Sequence, residues 1–209
     1  MITAREALER LREGNRRFVA GVRHIDLLIN QTRLSDLVSG QEPFAIILGC
    51  SDSRVPVEII FDQGLGDLFV IRIAGNIVAS SQIGSIEFAA VRFGTPLVVV
   101  LGHSYCGAVQ ATLEELMRPM KNQSRNLRSI VDRIRPSVEP LLETDIRFNP
   151  EALLQQSIWA NIRVSANHLR YGSEVLEELI EKEKLLVVCA EYCLETGIVD
   201  FFDGIPEAE

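Results

Sequence analysis

Three residues of types that bind metal ions follow two apolar runs of the chain. The first run, 44–49, is followed by Cys50, and the second run, 96–102, is followed by His103 and then by Cys106. Short aliphatic runs of this kind are typical of buried parallel strands. In an open α/β sheet the functional residues lie just beyond the carboxyl ends of the strands. The spacing therefore predicts that the two cysteines and the histidine meet at one edge of a sheet.

Two thiols and one imidazole supply three of the four donors that a tetrahedral zinc ion takes in proteins, and they leave the fourth position for chemistry. Each residue also has a simpler interpretation. A buried cysteine is often a small hydrophobic residue, a His-x-x-Cys pair arises by chance, and Cys50 at a strand-to-helix turn could be a nucleophile. The combination of all three residues favours Zn²⁺ as the cofactor.

Two charged residues follow the first cysteine. Asp52 is placed to accept a hydrogen bond from a water molecule at the metal, and Arg54 can hold that carboxylate with its planar guanidinium group. The alternative is a helix-capping aspartate with a surface ion pair. The motif carries no second carboxylate and no spare imidazole, which disfavours ester or peptide hydrolysis, because those reactions need an acid for the leaving group. Addition of hydroxide to a small electrophile without a leaving group needs no such acid.

These residues resemble the signature of the β-class carbonic anhydrases, which consists of the motifs Cys50-x-Asp52-x-Arg54 and His103-x-x-Cys106-Gly107. The resemblance extends to the segments 69–76 and 85–89, and to a closing hairpin at 192–197. It is close over residues 41–109 and looser toward both ends of the chain.

The resemblance implies reversible hydration of carbon dioxide to bicarbonate and a proton by zinc-bound hydroxide. It also implies a narrow, dry substrate pocket that is lined by Gln41, Phe69, Ala74, Phe88 and Gly107. The Gln41 amide and the Gly107 backbone amide would donate to an oxygen of carbon dioxide or bicarbonate. Phe88 stands where many relatives carry tyrosine. The resemblance leaves open that Asp52 becomes a fourth zinc ligand in a closed state.

Three other functions remain to be weighed. A zinc hydrolase of carbonyl sulfide or carbon disulfide could use the same scaffold. A non-catalytic zinc or redox-sensing module could use Cys50 and Cys106 as thiols. A flavodoxin-like nucleotide binder is disfavoured, because residues 50–54 occupy the place where a glycine-rich phosphate loop would follow the first strand.

Composition narrows the partners. The chain has 209 residues, 47% of them hydrophobic, and a net charge of −8, which argues against nucleic acid or an anionic membrane as a partner. No apolar stretch reaches the roughly 20 residues of a membrane helix, and the first residues do not resemble a secretory signal, so we expect a cytoplasmic protein. Of the two remaining cysteines, Cys189 and Cys193, Cys189 is expected to be a structural thiol in a core strand rather than part of a second site or a disulfide.

The pattern along the chain predicts a single α/β domain over 1–209, with a central, mostly parallel sheet flanked by helices. A short antiparallel strand at the C-terminal edge completes the sheet. A helical arm over 1–35, which begins at the capping box Thr3-x-x-Glu6, precedes an α/β core over 41–205. The arm could lie on its own sheet or across a partner, and we expect a homodimer or a dimer of dimers. Pro136 is predicted to end a helix that begins near residue 124.

Overall fold

The apolar runs of the sequence form the strands of one sheet in the computed structural model, which describes residues 2–22, 37–118 and 124–206. The strands are β1 (Ala45–Gly49), β2 (Leu68–Arg72), β3 (Leu97–His103), β4 (Leu186–Tyr192) and β5 (Val199–Asp203). Their order across the sheet is β2-β1-β3-β4-β5. The first four strands are parallel, and β5 pairs with β4 in the antiparallel direction. The predicted fold class is confirmed, including the antiparallel strand at the C-terminal edge.

Helices connect the strands and cover both faces of the sheet. They are α1 (Ala4–Val19), α2 (Val57–Ile60), α3 (Ser80–Phe93), α4 (Gly107–Met117), α5 (Arg125–Leu142), α6 (Pro150–Tyr171) and α7 (Glu174–Glu181). Short 3₁₀ turns occupy Ala74–Asn76 and Asp145–Phe148.

The side chains of the central strands alternate between two apolar clusters. Ile46 and Val100 belong to the cluster that α3, α4, α5, α6 and α7 cover, whereas Ile47 and Val99 belong to the cluster that α1 and α2 cover. Successive residues of a strand point to opposite faces of the sheet, and both faces are buried here. This double burial explains why the strands appear in the sequence as continuous apolar runs.

The strand order creates a crevice between the ends of β1 and β3. From β1 the chain first moves outward to β2, and it then crosses back to place β3 on the other side of β1. The connections that follow these two neighbouring strands therefore leave in opposite directions. Open α/β sheets bind their ligands outside the carboxyl ends of the strands at such a switch point.

Helix α1 begins with the predicted capping box. The Thr3 hydroxyl accepts from the Glu6 amide, and the Glu6 carboxylate accepts from the Thr3 amide. Ala7 and Leu11 are fully buried in the cluster on the chain's own sheet. The apolar face of the helix therefore packs on its own core. Residues 23–36 of the predicted arm lie outside the described residues, so the boundary at residue 35 stays a prediction.

The prediction that Pro136 ends a helix is wrong, because α5 continues to Leu142 through both Pro136 and Pro140. An internal proline costs a helix about 3 kcal/mol. Burying an amphipathic face can offset a loss of that size, since each fully buried aliphatic side chain contributes about 1.5–3 kcal/mol. Ile134 and Val138, on either side of Pro136, are fully buried in the core of the protein. Tertiary packing therefore outweighs the local preference.

Candidate metal centre

The carboxyl ends of β1 and β3 bring two cysteines and a histidine together. Cys50 follows β1 directly, His103 is the last residue of β3, and Cys106 immediately precedes α4. Their candidate ligand atoms all lie within 4.8 Å of one another, and all three residues are buried. A buried cluster of two sulfurs and one imidazole nitrogen is a donor set that suits zinc.

The imidazole of His103 is oriented for metal binding. Its Nδ1 lies 2.9 Å from the carbonyl oxygen of Ser104, so Nδ1 carries the hydrogen and donates it. That leaves Nε2 as the ring atom with a free lone pair. Within the described part of the chain, Nε2 is buried and has no hydrogen-bond partner. A buried nitrogen without a partner is costly in a dry interior, and a metal ion would satisfy it.

The two sulfurs of the cluster interact with each other. The closeness of the two thiols lowers the pKa of Cys50 and raises the pKa of Cys106. Both thiols lose their protons when they bind a metal ion. Two thiolates balance the charge of a divalent cation, so the donor set fits zinc in charge as well as in geometry.

Asp52 and Arg54 form a closely bonded pair beside the cluster. Asp52 Oδ1 accepts from the backbone amide and from Nε of Arg54, each at 2.9 Å, and Oδ2 accepts from Nη2 at 2.7 Å. The guanidinium group holds the pKa of the Asp52 carboxyl well below its usual range. Asp52 Oδ2 also lies 3.8 Å from Nε2 of His103. The carboxylate is therefore ionised and lies next to the atoms that would hold a metal.

Arg72, which the sequence did not single out as a site residue, holds the loop that carries this pair. It is the last residue of β2, and its Nε donates to the carbonyl oxygen of Cys50 at 2.9 Å. Its Nη2 donates to the carbonyl oxygen of Asp52. A charged residue at the carboxyl end of a strand next to β1 was the available signal. Arg72 fixes the backbone between the first candidate ligand and the carboxylate.

The five residues of the expected substrate pocket do not all lie near the cluster. Gly107 begins α4 directly after Cys106, and Ala74 begins the 3₁₀ turn that follows β2. Gln41 precedes β1 and lies with Asp67 at the amino-terminal edge of the sheet. Phe88 belongs to an aromatic group with Phe69, 6.3 Å away between ring centroids, and it is 53% exposed. Gln41 and Cys50 therefore lie at opposite ends of β1, whereas the places of Phe69 and Phe88 in the substrate pocket stay a prediction.

Comparison with known proteins decides the family. A family model described as carbonic anhydrase matches residues 45–199. The chain belongs to the carbonic anhydrase family. The signature motifs and the structural neighbours described next place it in the β class, and it is accordingly an enzyme of that family.

Curated carbonic anhydrases align with most of the chain. "Carbonic anhydrase 2" of Mycobacterium tuberculosis is 39% identical over 192 residues, which are 91% of this chain and 89% of that protein. A carbonic anhydrase of Mycolicibacterium smegmatis is 46% identical over 132 residues, 63% of each chain.

Solved structures of β-carbonic anhydrases share the fold. The β-carbonic anhydrase CcaA superposes with a TM-score of 0.75 and 27% identity, over 94% of this chain and 95% of that one. A tetrameric β-carbonic anhydrase of the filamentous ascomycete Sordaria macrospora gives a TM-score of 0.74 at 22% identity, over 83% of this chain and 87% of that one. In the described ranges of this carbonic anhydrase, no helix is long and apolar enough to cross a membrane.

Proposed function

We propose that this chain interconverts carbon dioxide and bicarbonate with a zinc ion held by Cys50, His103 and Cys106. The observation that supports the proposal best is the buried donor set, in which Nε2 of His103 lacks a partner among the described residues. When bound, zinc supplies Lewis acidity that makes water nucleophilic near neutral pH. Three protein donors leave a position for that water, as in catalytic rather than structural zinc sites.

Asp52 and Arg54 would orient the attacking water. An ionised carboxylate only accepts hydrogen bonds, so Asp52 would take one from the water and direct the oxygen lone pair away from itself. Arg54 engages both carboxylate oxygens, which keeps the carboxylate in one orientation. No leaving group departs during hydration of carbon dioxide, so the reaction requires no general acid beside the electrophile.

Gly107 would stabilise the negative charge that appears as bicarbonate forms. It is the first residue of α4, and the amides of the first turn of a helix have no partner within that helix. These amides and the helix dipole favour an anion at this end. The Gly107 amide would therefore donate to an oxygen of the product.

The direct test is metal analysis of the purified protein together with stopped-flow measurement of carbon dioxide hydration. We expect about one zinc ion per chain, because one donor set is present, and hydration that disappears on chelation and returns with zinc. Carbonyl sulfide and carbon disulfide should be assayed beside carbon dioxide on the same samples. If the enzyme turns over either sulfur compound faster than carbon dioxide, that compound is the substrate instead. If the protein binds zinc but turns over none of the three compounds, it is a non-catalytic zinc module.

We further propose that the enzyme is a homodimer, or a dimer of dimers, in which Gln41 serves the zinc site of the other subunit. Eight residues lie between Gln41 and Cys50, and the five of them that form β1 alone span about 16 Å at 3.3 Å per residue. A glutamine at the opposite edge of the sheet cannot reach its own metal centre. The exposed side chains of Phe88 and Val91 on α3 supply an apolar surface that a second copy would cover.

A subunit-mixing experiment tests this arrangement. Gln41→Ala should reduce hydration about tenfold, the effect of losing one hydrogen bond to substrate, whereas Gln110→Ala, an exposed glutamine on α4, should not. Gln41→Ala and Cys50→Ser subunits, refolded together, should regain about a quarter of the wild-type activity, because half of the dimers are mixed and one of their two sites is intact. If Gln41 acts within its own chain, mixing restores nothing.

A further inference from the structure

A buried asparagine reaches the turn beside the first cysteine from a distant helix. Asn161 lies in the middle of α6 and is 1% exposed. Its Nδ2 donates to the carbonyl oxygen of Gly75 at 2.7 Å, across 86 positions of the sequence. Burying a carboxamide costs free energy unless its groups are hydrogen-bonded, so this short bond fixes where the side chain points.

The residue that Asn161 holds is itself bonded to a candidate metal ligand. The backbone amide of Gly75 donates to Sγ of Cys50 at 3.4 Å. Gly75 has φ +69° and ψ +21°, a left-handed conformation that glycine adopts without steric cost. Asn76 follows with φ +43°, which is uncommon for a residue with a side chain. In this conformation Gly75 turns its amide toward the sulfur of Cys50 and its carbonyl group toward Asn161.

Two helices pack closely against Gly75. A Cβ atom added at Gly75 would lie 2.8 Å from Cδ1 of Ile134 and 3.1 Å from Cβ of Ala108. Ile134 belongs to α5 and Ala108 to α4, so both helices leave no room for a side chain at position 75. The hydrogen bond from Asn161 on α6 adds a directional constraint to the same residue, because it orients the Gly75 carbonyl group.

We propose that Asn161 is a positioning residue for Cys50. By holding Gly75, it directs an N–H group at the cysteine sulfur and sets both the orientation and the electron donation of that sulfur toward a metal. A hydrogen bond to a thiolate draws charge from it, and partners one step behind a ligand change metal affinity by about 10–100-fold. The inference rests on the proposed zinc function, and it concerns the affinity of the centre for zinc rather than the reaction.

The same helix provides a matched control. Ser157 lies one turn before Asn161 on the same buried face of α6 and is fully buried. Its hydroxyl has no hydrogen-bond partner among the residues that the structure describes. Ser157→Ala therefore perturbs the same helix and the same core without touching the link to Gly75.

The test compares Asn161→Leu with Ser157→Ala in two measurements that do not depend on activity. Zinc affinity is measured by competition with a chromogenic chelator, and we expect Asn161→Leu to weaken it about tenfold. The second measurement is the near-ultraviolet absorption of the cobalt-substituted protein, which reports charge transfer from thiolate to metal. That band should shift in Asn161→Leu and stay unchanged in Ser157→Ala. If Asn161→Leu does not fold, Asn161→Ser, whose hydroxyl is too short to reach Gly75, takes its place.

The outcomes separate this inference from the proposed function. Wild-type protein that binds no zinc overturns the proposed function and, with it, the inference. Wild-type protein that binds zinc while the Asn161 variant keeps the same affinity and the same cobalt spectrum overturns the inference alone. A third result is an Asn161 variant that unfolds at a lower temperature with and without metal while its zinc affinity is unchanged. That result shows that Asn161 only supports the fold, and it also overturns the inference.

Discussion

Replacing any one of Cys50, His103 and Cys106 should remove most of the zinc and nearly all carbon dioxide hydration. In Cys50→Ser, His103→Ala and Cys106→Ser we expect about a tenth or less of the wild-type zinc content, because three protein donors leave no redundancy. Zinc is measured by elemental analysis after gel filtration and activity by stopped flow. Each variant should lose both together.

Cys193→Ser is the matched control for the cysteine substitutions. Cys193 is partly exposed, and it lies in the hairpin between β4 and β5 rather than in the donor cluster. The same exchange of sulfur for oxygen there should leave the zinc content at the wild-type level. Full retention of zinc in two of the three ligand variants would refute the assignment of the metal centre.

Asp52→Asn should slow carbon dioxide hydration about a hundredfold while zinc stays bound. An orienting or proton-accepting carboxylate in a site of this kind contributes on the order of 10²–10⁴ to the rate. The asparagine amide keeps the size of the side chain but presents a donor where the carboxylate only accepts. Near-wild-type activity of Asp52→Asn between pH 7 and 9, with normal zinc content, would rule out the role of the Asp52–Arg54 pair.

The activity of the wild-type enzyme should depend on pH through the ionisation of water at the metal centre and not through that of Asp52. Arg54 holds the pKa of Asp52 below its usual range, so this carboxyl is already ionised above pH 5 and does not titrate in the working range. Two thiolates neutralise a divalent ion, so water at the centre should lose its proton above the value of about 7 that is typical of three-histidine sites. Activity should therefore still rise through pH 8.

Arg54→Ala gives the complementary pH profile. Without the guanidinium group, Asp52 would be free to move toward a bound metal ion, where it would compete with hydroxide for the position that the three protein donors leave open. Higher pH favours hydroxide in that competition, so the profile should shift to more alkaline pH. An unchanged profile in Arg54→Ala would mean that Arg54 does not restrain the carboxylate.

The sequence by itself determined the strands and the candidate ligands. Runs such as 44–49 and 96–102 are apolar throughout because both faces of the sheet are buried, and this pattern is local. Residues of metal-binding type stand directly after two of these runs. Parallel strands align their carboxyl ends at one edge, so the positions of Cys50 and His103 in the sequence already implied that they approach each other.

Tertiary structure alone decided the remaining features of the site. The hydrogen bond from Asn161 to Gly75 spans 86 positions, and it depends on how α6 packs over the sheet, which no local pattern encodes. Pro136 signals a helix end in the sequence, yet burial of Ile134 and Val138 offsets the lost backbone hydrogen bond. The nearness of Gln41 to Asp67 follows from the pairing of β1 with β2, which only the assembled sheet reveals.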